Sequence, residues 1–145
     1  MRNVINIGYS SGVFDLFHIG HLNILRRAKL ACDYLIASVL SDEVAFEVKG
    51  RRPVVPFEER LEIVRALAPV DAAVGEFTTD KMQMWAQLGF TTMFKGNDWK
   101  GTPRALRWEA QFAEVGVEVV YLPYTEHTSS TRLRTIIDER TASEG

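Results

Sequence analysis

His18 and His21 lie three positions apart with Gly20 between them, just ahead of the run Leu22-Asn23-Ile24-Leu25-Arg26-Arg27-Ala28-Lys29, which reads as an amphipathic helix. In a first helical turn, residues at that spacing project side by side, so two imidazoles share one face. Upstream, the apolar run Val4-Ile5-Asn6-Ile7-Gly8-Tyr9 reads as a strand and Ser10, Ser11 and Gly12 as a small-residue turn. Strand, glycine-containing turn and helix start form the place where α/β proteins cradle phosphate, because backbone N–H groups point at the anion and the helix dipole adds partial positive charge. Gly20 has no side chain, which lets a phosphate approach the backbone. The chemistry that fits is charge stabilisation on a phosphoryl group. Zinc fits poorly, since no cysteine or further histidine stands nearby to complete a ligand set.

The elements that must position these residues follow from pattern and length. A chain of 145 residues makes one domain with one sizeable core. Short apolar runs alternate with longer helical periodicities, which predicts an α/β fold: a five-stranded parallel sheet of Rossmann-like type with helices on both faces. Strands are expected near Val4 to Tyr9, Tyr34 to Leu40, Ala72 to Val74, Thr92 to Lys95 and Val117 to Leu122, and helices over Ile19 to Ala31, Pro56 to Ala68, Asp80 to Leu88, Thr102 to Val115 and Ser130 to Glu139. Thr79 or Asp80 is expected to cap the third helix, and Gly89 and Gly116 to stop helices. The domain is expected over residues 1–140, with the small polar tail Thr141-Ala142-Ser143-Glu144-Gly145 fraying. Right-handed crossovers place the strand C-terminal ends along one edge, and every candidate segment maps there.

Composition narrows the partners. A formal net charge of −2 gives no global attraction to nucleic acid or to an anionic membrane, so small molecules are expected. The lone cysteine, Cys32, excludes an internal disulfide and reads as a buried apolar residue, in keeping with a reducing cytoplasm. No stretch resembles a signal peptide or approaches the roughly 20 apolar residues of a membrane span. Gly8 and Gly12 lack the third spacing and the acidic residue of the dinucleotide fingerprint, so NAD is not expected.

The stretch Gly12-Val13-Phe14-Asp15-Leu16-Phe17-His18-Ile19-Gly20-His21 resembles the Gly-x-Phe-Asp-x-x-His-x-Gly-His signature of the cytidylyltransferase branch of the nucleotidyltransferase superfamily. The similarity extends to about Ile137 and is greatest to the small bacterial glycerol-3-phosphate cytidylyltransferases. It implies a homodimer that transfers CMP from CTP to a small phosphorylated acceptor, with Mg²⁺ held mainly by the triphosphate.

Other segments gain roles beside this. Ser41 to Pro53 reads as a flexible loop with Lys49, Arg51 and Arg52, able to close over a triphosphate. The resemblance makes Lys49 a phosphate and acceptor contact. Pro56-Phe57-Glu58-Glu59-Arg60-Leu61 matches the aromatic-Glu-x-Arg stretch, in which Arg60 holds substrate or pins the active-site loop. Phe94-Lys95-Gly96-Asn97-Asp98-Trp99 looks like the Gly-Asp-Asp-Trp element beside the base: Asp98 can accept a hydrogen bond from a base amino group or ribose hydroxyl, and Trp99 offers an apolar wall. Asn97 stands in place of an aspartate, and Lys95 ahead of the glycine is similar to the Lys-Gly-Gly-Asp element of heptose-phosphate adenylyltransferases, which keeps ATP open as the donor.

Tyr124 to Arg134 carries hydroxyls at a helix start, followed by Arg132 and Arg134. Thr125, Ser129, Ser130 and Thr131 match the Arg-Thr-x-Gly-Ile-Ser-Thr-Thr pattern that binds phosphate, although capping alone also explains hydroxyls there. Tyr124, His127 and Ala68 depart from that family's arginine, glycine and second arginine, and a guanidinium's bidentate grip is not copied by tyrosine.

The expected nucleotide site thus comprises Ser11, Gly12, Val13, Phe14, Asp15, Gly20, Gly96, Asn97, Asp98, Trp99, Thr125, Ser129, Ser130 and Thr131, with His18, His21 and Lys49 catalytic and Lys49 and Arg60 on the substrate. Asp15 is a weak candidate for the metal, because an acidic residue there more often braces the turn. A nucleotide-binding module without catalysis is the rival from another class. It would bind CTP tightly without turnover.

Overall fold

The computed structural model describes residues 4–123 and 130–144. Five strands, β1 (Ile7–Gly12), β2 (Tyr34–Leu40), β3 (Ala72–Glu76), β4 (Thr92–Gly96) and β5 (Glu118–Leu122), form one parallel sheet in the order β3-β2-β1-β4-β5. The helices are α1 (Ile19–Leu30), α2 (Asp42–Lys49), α3 (Phe57–Arg65), α4 (Lys81–Leu88), α5 (Pro103–Ala113) and α6 (Ser130–Glu144), with one 3₁₀ turn over Asn97–Trp99. The predicted fold class holds.

Two apolar layers flank the sheet. Leu25 and Ala28 of α1 and Val64 of α3 pack with Leu35, Ala37, Val39 and Phe94 on one face, while Met84 of α4 and Ala105, Trp108 and Phe112 of α5 pack with Tyr9 and Met93 on the other. The adjacent residues Met93 and Phe94 point to opposite layers, as strand period dictates. A Cβ on Gly8 would lie 2.6 Å from Phe94 and 2.7 Å from the Cys32 sulfur, so this glycine admits the packing that half-buries Cys32. The chain builds outward from β1 through β2 to β3, then returns to the other side of β1 with β4. The β1/β4 junction is therefore a topological switch point, where an open sheet leaves a crevice.

Three expectations need correction. The first strand is displaced: Ser10, Ser11 and Gly12 continue it rather than turn, pairing with Ala37, Ser38 and Val39, because small residues fit a strand buried on both faces. The segment after β2 is a helix rather than a loop up to Lys49. Ser41 accepts the Val44 N–H as its N-cap, Asp42 and Glu43 suit the dipole, and Gly50 closes it at φ 78°. Finally, the last helix runs on through Thr141 to Glu144. Asp80 is the cap of α4 and Gly89 its left-handed stop, both as the sequence predicts. No helix of the described residues is long and apolar enough to cross a membrane.

Candidate active site

The turn from β1 into α1 is held in an unusual backbone path. Phe14 and Leu16 have φ of 54° and 50°, a region that costs a side-chain-bearing residue about 1–2 kcal/mol. Neighbours impose it. Phe14 is buried in the α1/α3 layer, and the Asp15 carboxylate, 2% exposed, accepts the Val54 and Val55 N–H groups at 2.8 and 2.9 Å and the Arg134 guanidinium at 2.9 Å. Burial works to raise the Asp15 carboxyl, but the two backbone donors and Arg134 outweigh it and hold it below the usual range. With both oxygens engaged, Asp15 braces the turn and is a poor metal ligand.

Both imidazoles enter a reciprocal cap at the start of α1. His18 Nδ1 accepts the Gly20 N–H at 3.0 Å, and His21 Nδ1 accepts the His18 N–H at 3.3 Å. A ring nitrogen that accepts carries no proton, so each neutral ring bears its hydrogen on Nε2. The rings stack with centroids 3.9 Å apart. Burial lowers the His18 pKa, and burial reinforced by the His18 charge, against a smaller opposing effect of Asp15, takes His21 down to about 3. Both are neutral Nε2–H donors near pH 7. His21 Nε2 lies 3.5 Å from Ser130 Oγ, which itself donates to the Asp15 carbonyl at 2.7 Å and so ties α6 to the turn. His18 Nε2 is buried and has no hydrogen-bond partner among the described residues.

A cavity of about 400 Å³ opens at the β1/β4 crevice. Of the residues singled out from sequence, Ser11, Gly12, Val13, Phe14, Asp15 and His21 line the cavity; Lys49 joins them from α2, Gly96 from the end of β4, Asp98 and Trp99 from the 3₁₀ turn after it, and Ser130 and Thr131 from α6. His18, Gly20, Asn97 and Arg60 are not on the wall. Gly20 acts through the cap and Asn97 is exposed. Thr125 and Ser129 lie outside the described residues.

Of the two roles the resemblance implies for Arg60, holding substrate or pinning the loop, its contacts are those of a pin. It is 1% exposed, and its guanidinium donates to the carbonyls of Val13, Leu40 and Val55 and to Asp42 Oδ1, at 2.6 to 2.8 Å. Its donors thereby join the ends of β1 and β2, α2 and the segment before α3.

Sequence reasoning missed the buried charged cluster beside Ser11, of which it had noted Lys95 alone. Glu76, wholly buried at the end of β3, accepts from Tyr9, from Ser38 at 2.9 Å and from Lys81 at 2.5 Å, and Lys81 also donates to Ser11 Oγ at 2.9 Å. Lys95 donates to the Ser11 carbonyl at 3.2 Å, with its ammonium 5.1 Å from the Trp99 ring and 5.3 Å from that of Trp108. The Lys49 ammonium sits 5.4 Å from the same Trp99 ring. Burial and the Lys81 charge push the Lys95 pKa well down, and burial lowers Lys81 despite Glu76. For Lys95 the available signal was a charged residue closing a predicted strand.

A cavity floored by strand ends, with a neutral N–H donor and ammoniums on its walls, is suited to a phosphorylated ligand whose charge shifts during reaction. The cytidylyltransferase-like family model matches residues 9–136. The chain belongs to that family, within the nucleotidyltransferases. It is similar to a protein named FAD synthase from Thermococcus sibiricus, 33% identical over 131 residues covering 90% of this chain and 88% of the relative. A second FAD synthase, from Pyrococcus abyssi, is 36% identical over 114 residues, covering 78% and 77%. Among solved structures, a lipopolysaccharide core biosynthesis protein from Thermoplasma volcanium superposes with TM-score 0.72 at 23% identity, over 86% of this chain and all of that one. The pantoate–β-alanine ligase of Francisella tularensis superposes at 0.64 and 11% identity, over 93% of this chain and 67% of that one. At those identities the likeness concerns the fold.

Proposed function

We propose that the protein transfers CMP from CTP to a small phosphorylated acceptor of the glycerol 3-phosphate class. An acceptor phosphate oxygen attacks the α-phosphorus in line, the bond from that phosphorus to the oxygen bridging the β-phosphate breaks, and pyrophosphate leaves with the electron pair. The acceptor is already a nucleophile, so alignment and charge stabilisation are what the protein supplies, with no covalent enzyme intermediate. The observation that carries this reading is His21, stacked on His18 and fixed as an Nε2–H donor on the cavity wall. Lys49 draws the two anions together, and Ser130 and Thr131 at the start of α6 receive the leaving phosphates. Asp98, on the wall beside Trp99, suits the amino group of a cytosine. The engagement of both Asp15 oxygens, and the lack of any cluster of three or more acidic, histidine or cysteine ligands among the described residues, fits Mg²⁺ carried on triphosphate oxygens and water. That ion supplies charge neutralisation on the phosphates.

The FAD synthase relatives favour a second reading, in which ATP is the donor and FMN the acceptor. Pyrophosphate release measured with CTP and with ATP, each against glycerol 3-phosphate, ethanolamine phosphate, a heptose 1-phosphate and FMN, separates the two. CTP with glycerol 3-phosphate is expected to be the fastest pair. ATP with FMN as the fastest pair would replace it, and tight CTP binding without turnover on any acceptor would leave a binding module.

A further inference from the structure

Beside Lys81 a second hollow of about 260 Å³ lies between the starts of α4 and α5, and Thr79, Lys81, Arg104 and Trp108 stand on the walls of both, so the two adjoin. Arg107 and Gln111 line its far part. Arg104 and Arg107 are exposed and form no hydrogen bond or ion pair with any described residue. Among the described residues one carboxylate stands on this wall, Asp80, whose Oδ1 caps α4 by accepting the Met82 N–H at 2.9 Å. Lys81 already has Glu76, and the Arg104 charge bears on its ammonium unfavourably. Lys81, Arg104 and Arg107 thus stand at two helix N-termini whose dipoles are themselves positive there, against the charges of Glu76 and Asp80, which leaves positive charge in excess and no hydrogen bond or ion pair for the arginines among the described residues. An anion from outside would relieve it.

We propose that this trough is a second anion subsite, which takes a carboxylate or phosphate carried by the acceptor at the end remote from its attacking phosphate. The assignment rests on the nucleotidyl-transfer reading for which end of the acceptor reacts. In that arrangement the group held in the trough is not the one whose oxygen attacks the α-phosphorus. Acceptors with an anion at each end are then preferred over those with one. The arginines expected at Ala68 and Tyr124 by family resemblance are absent, and Arg104 and Arg107 bring guanidinium recognition from the other side of the crevice.

The test titrates the full chain and its R104A/R107A variant by calorimetry with fructose 1,6-bisphosphate, 6-phosphogluconate and fructose 6-phosphate, and measures pyrophosphate release with the same compounds and either triphosphate. Both substituted side chains are exposed, so the variant folds. The two-anion compounds are expected to bind the unmodified chain at least tenfold more tightly than fructose 6-phosphate, and the variant to lose that preference; the better of the two identifies phosphate or carboxylate as the distal group. Equal affinity for all three, no binding of any, or a preference that survives the double substitution overturns the subsite. Absence of pyrophosphate release with every pair would instead count against the transfer reaction, while the calorimetry still decides the trough.

Discussion

The two ends of the cavity are built on opposite plans. At the α1 end the polar groups are largely tied to one another, with His18 Nε2 and Arg134 Nε left over: His18 and His21 cap one another, Asp15 gathers two backbone N–H groups and Arg134, and Arg60 holds three carbonyls. At the α4/α5 end Arg104 and Arg107 engage nothing that is described, and Lys95 is buried with a carbonyl and two indole faces for company. The first plan fixes geometry before a ligand arrives, which is what stabilising a short-lived charge distribution demands. The second stores unneutralised charge, which favours whichever ligand brings the complement. On the proposed transfer, chemistry and selectivity would fall to different parts of one crevice.

If the engaged end is the rigid one, removing its pin has the largest effect. Arg60→Met leaves Asp42 without its cation and three carbonyls without a donor, and is expected to lower stability by about 3–5 kcal/mol in urea unfolding. A loss under about 1 kcal/mol would mean that these loops hold without it. His21→Ala comes next: the fold remains, as judged by circular dichroism, and turnover falls by about 10²–10³, the usual cost of one preorganised donor. Unchanged turnover would remove the imidazoles from the chemistry. Lys49→Ala is a smaller step, because its side chain is exposed and carries charge without fixed geometry. Turnover about tenfold lower with unaltered thermal unfolding is expected, and a drop as deep as that of His21→Ala would erase the contrast between pre-set and mobile groups.

The difference between the ends also governs what could be read from residues alone. The sheet, the ligand edge and the histidine turn were legible because strand and helix periods are local, and because His18 and His21 need only one helical turn to meet. Ser41, Asp42 and Gly50 did signal a helix, but the basic, proline-containing stretch beyond it drew the reading toward a loop. Arg60 was ambiguous on its own: the carbonyls it holds belong to Val13, Leu40 and Val55, and only the sheet order brings the first two together. Glu76 and Lys81 were invisible for the same reason, since a buried ion pair is recognisable only when Tyr9, Ser11 and Ser38 are known to surround it.

Acid titration reads the engaged end by itself. The unfolded chain binds a proton at His21 as pH falls through about 6.5, whereas the folded chain resists until about 3. Between those values the unfolded state holds more protons, so the stability present above pH 6.5 is lost as pH falls, by up to about 1.4 kcal/mol per unit for one such group. His18, also lowered, adds in the same direction, and Asp15, held below its usual range, extends the loss to lower pH. Urea unfolding at pH 7 and pH 4.5 is expected to show a marked drop for the unmodified chain and a distinctly flatter dependence for His21→Asn, whatever the variant's absolute stability. Parallel slopes would mean that His21 takes up its proton normally in the folded protein. A charged imidazolium beside Asp15 would then replace the neutral Nε2–H donor, and the α1 end would hold stored charge just as the α4/α5 end does.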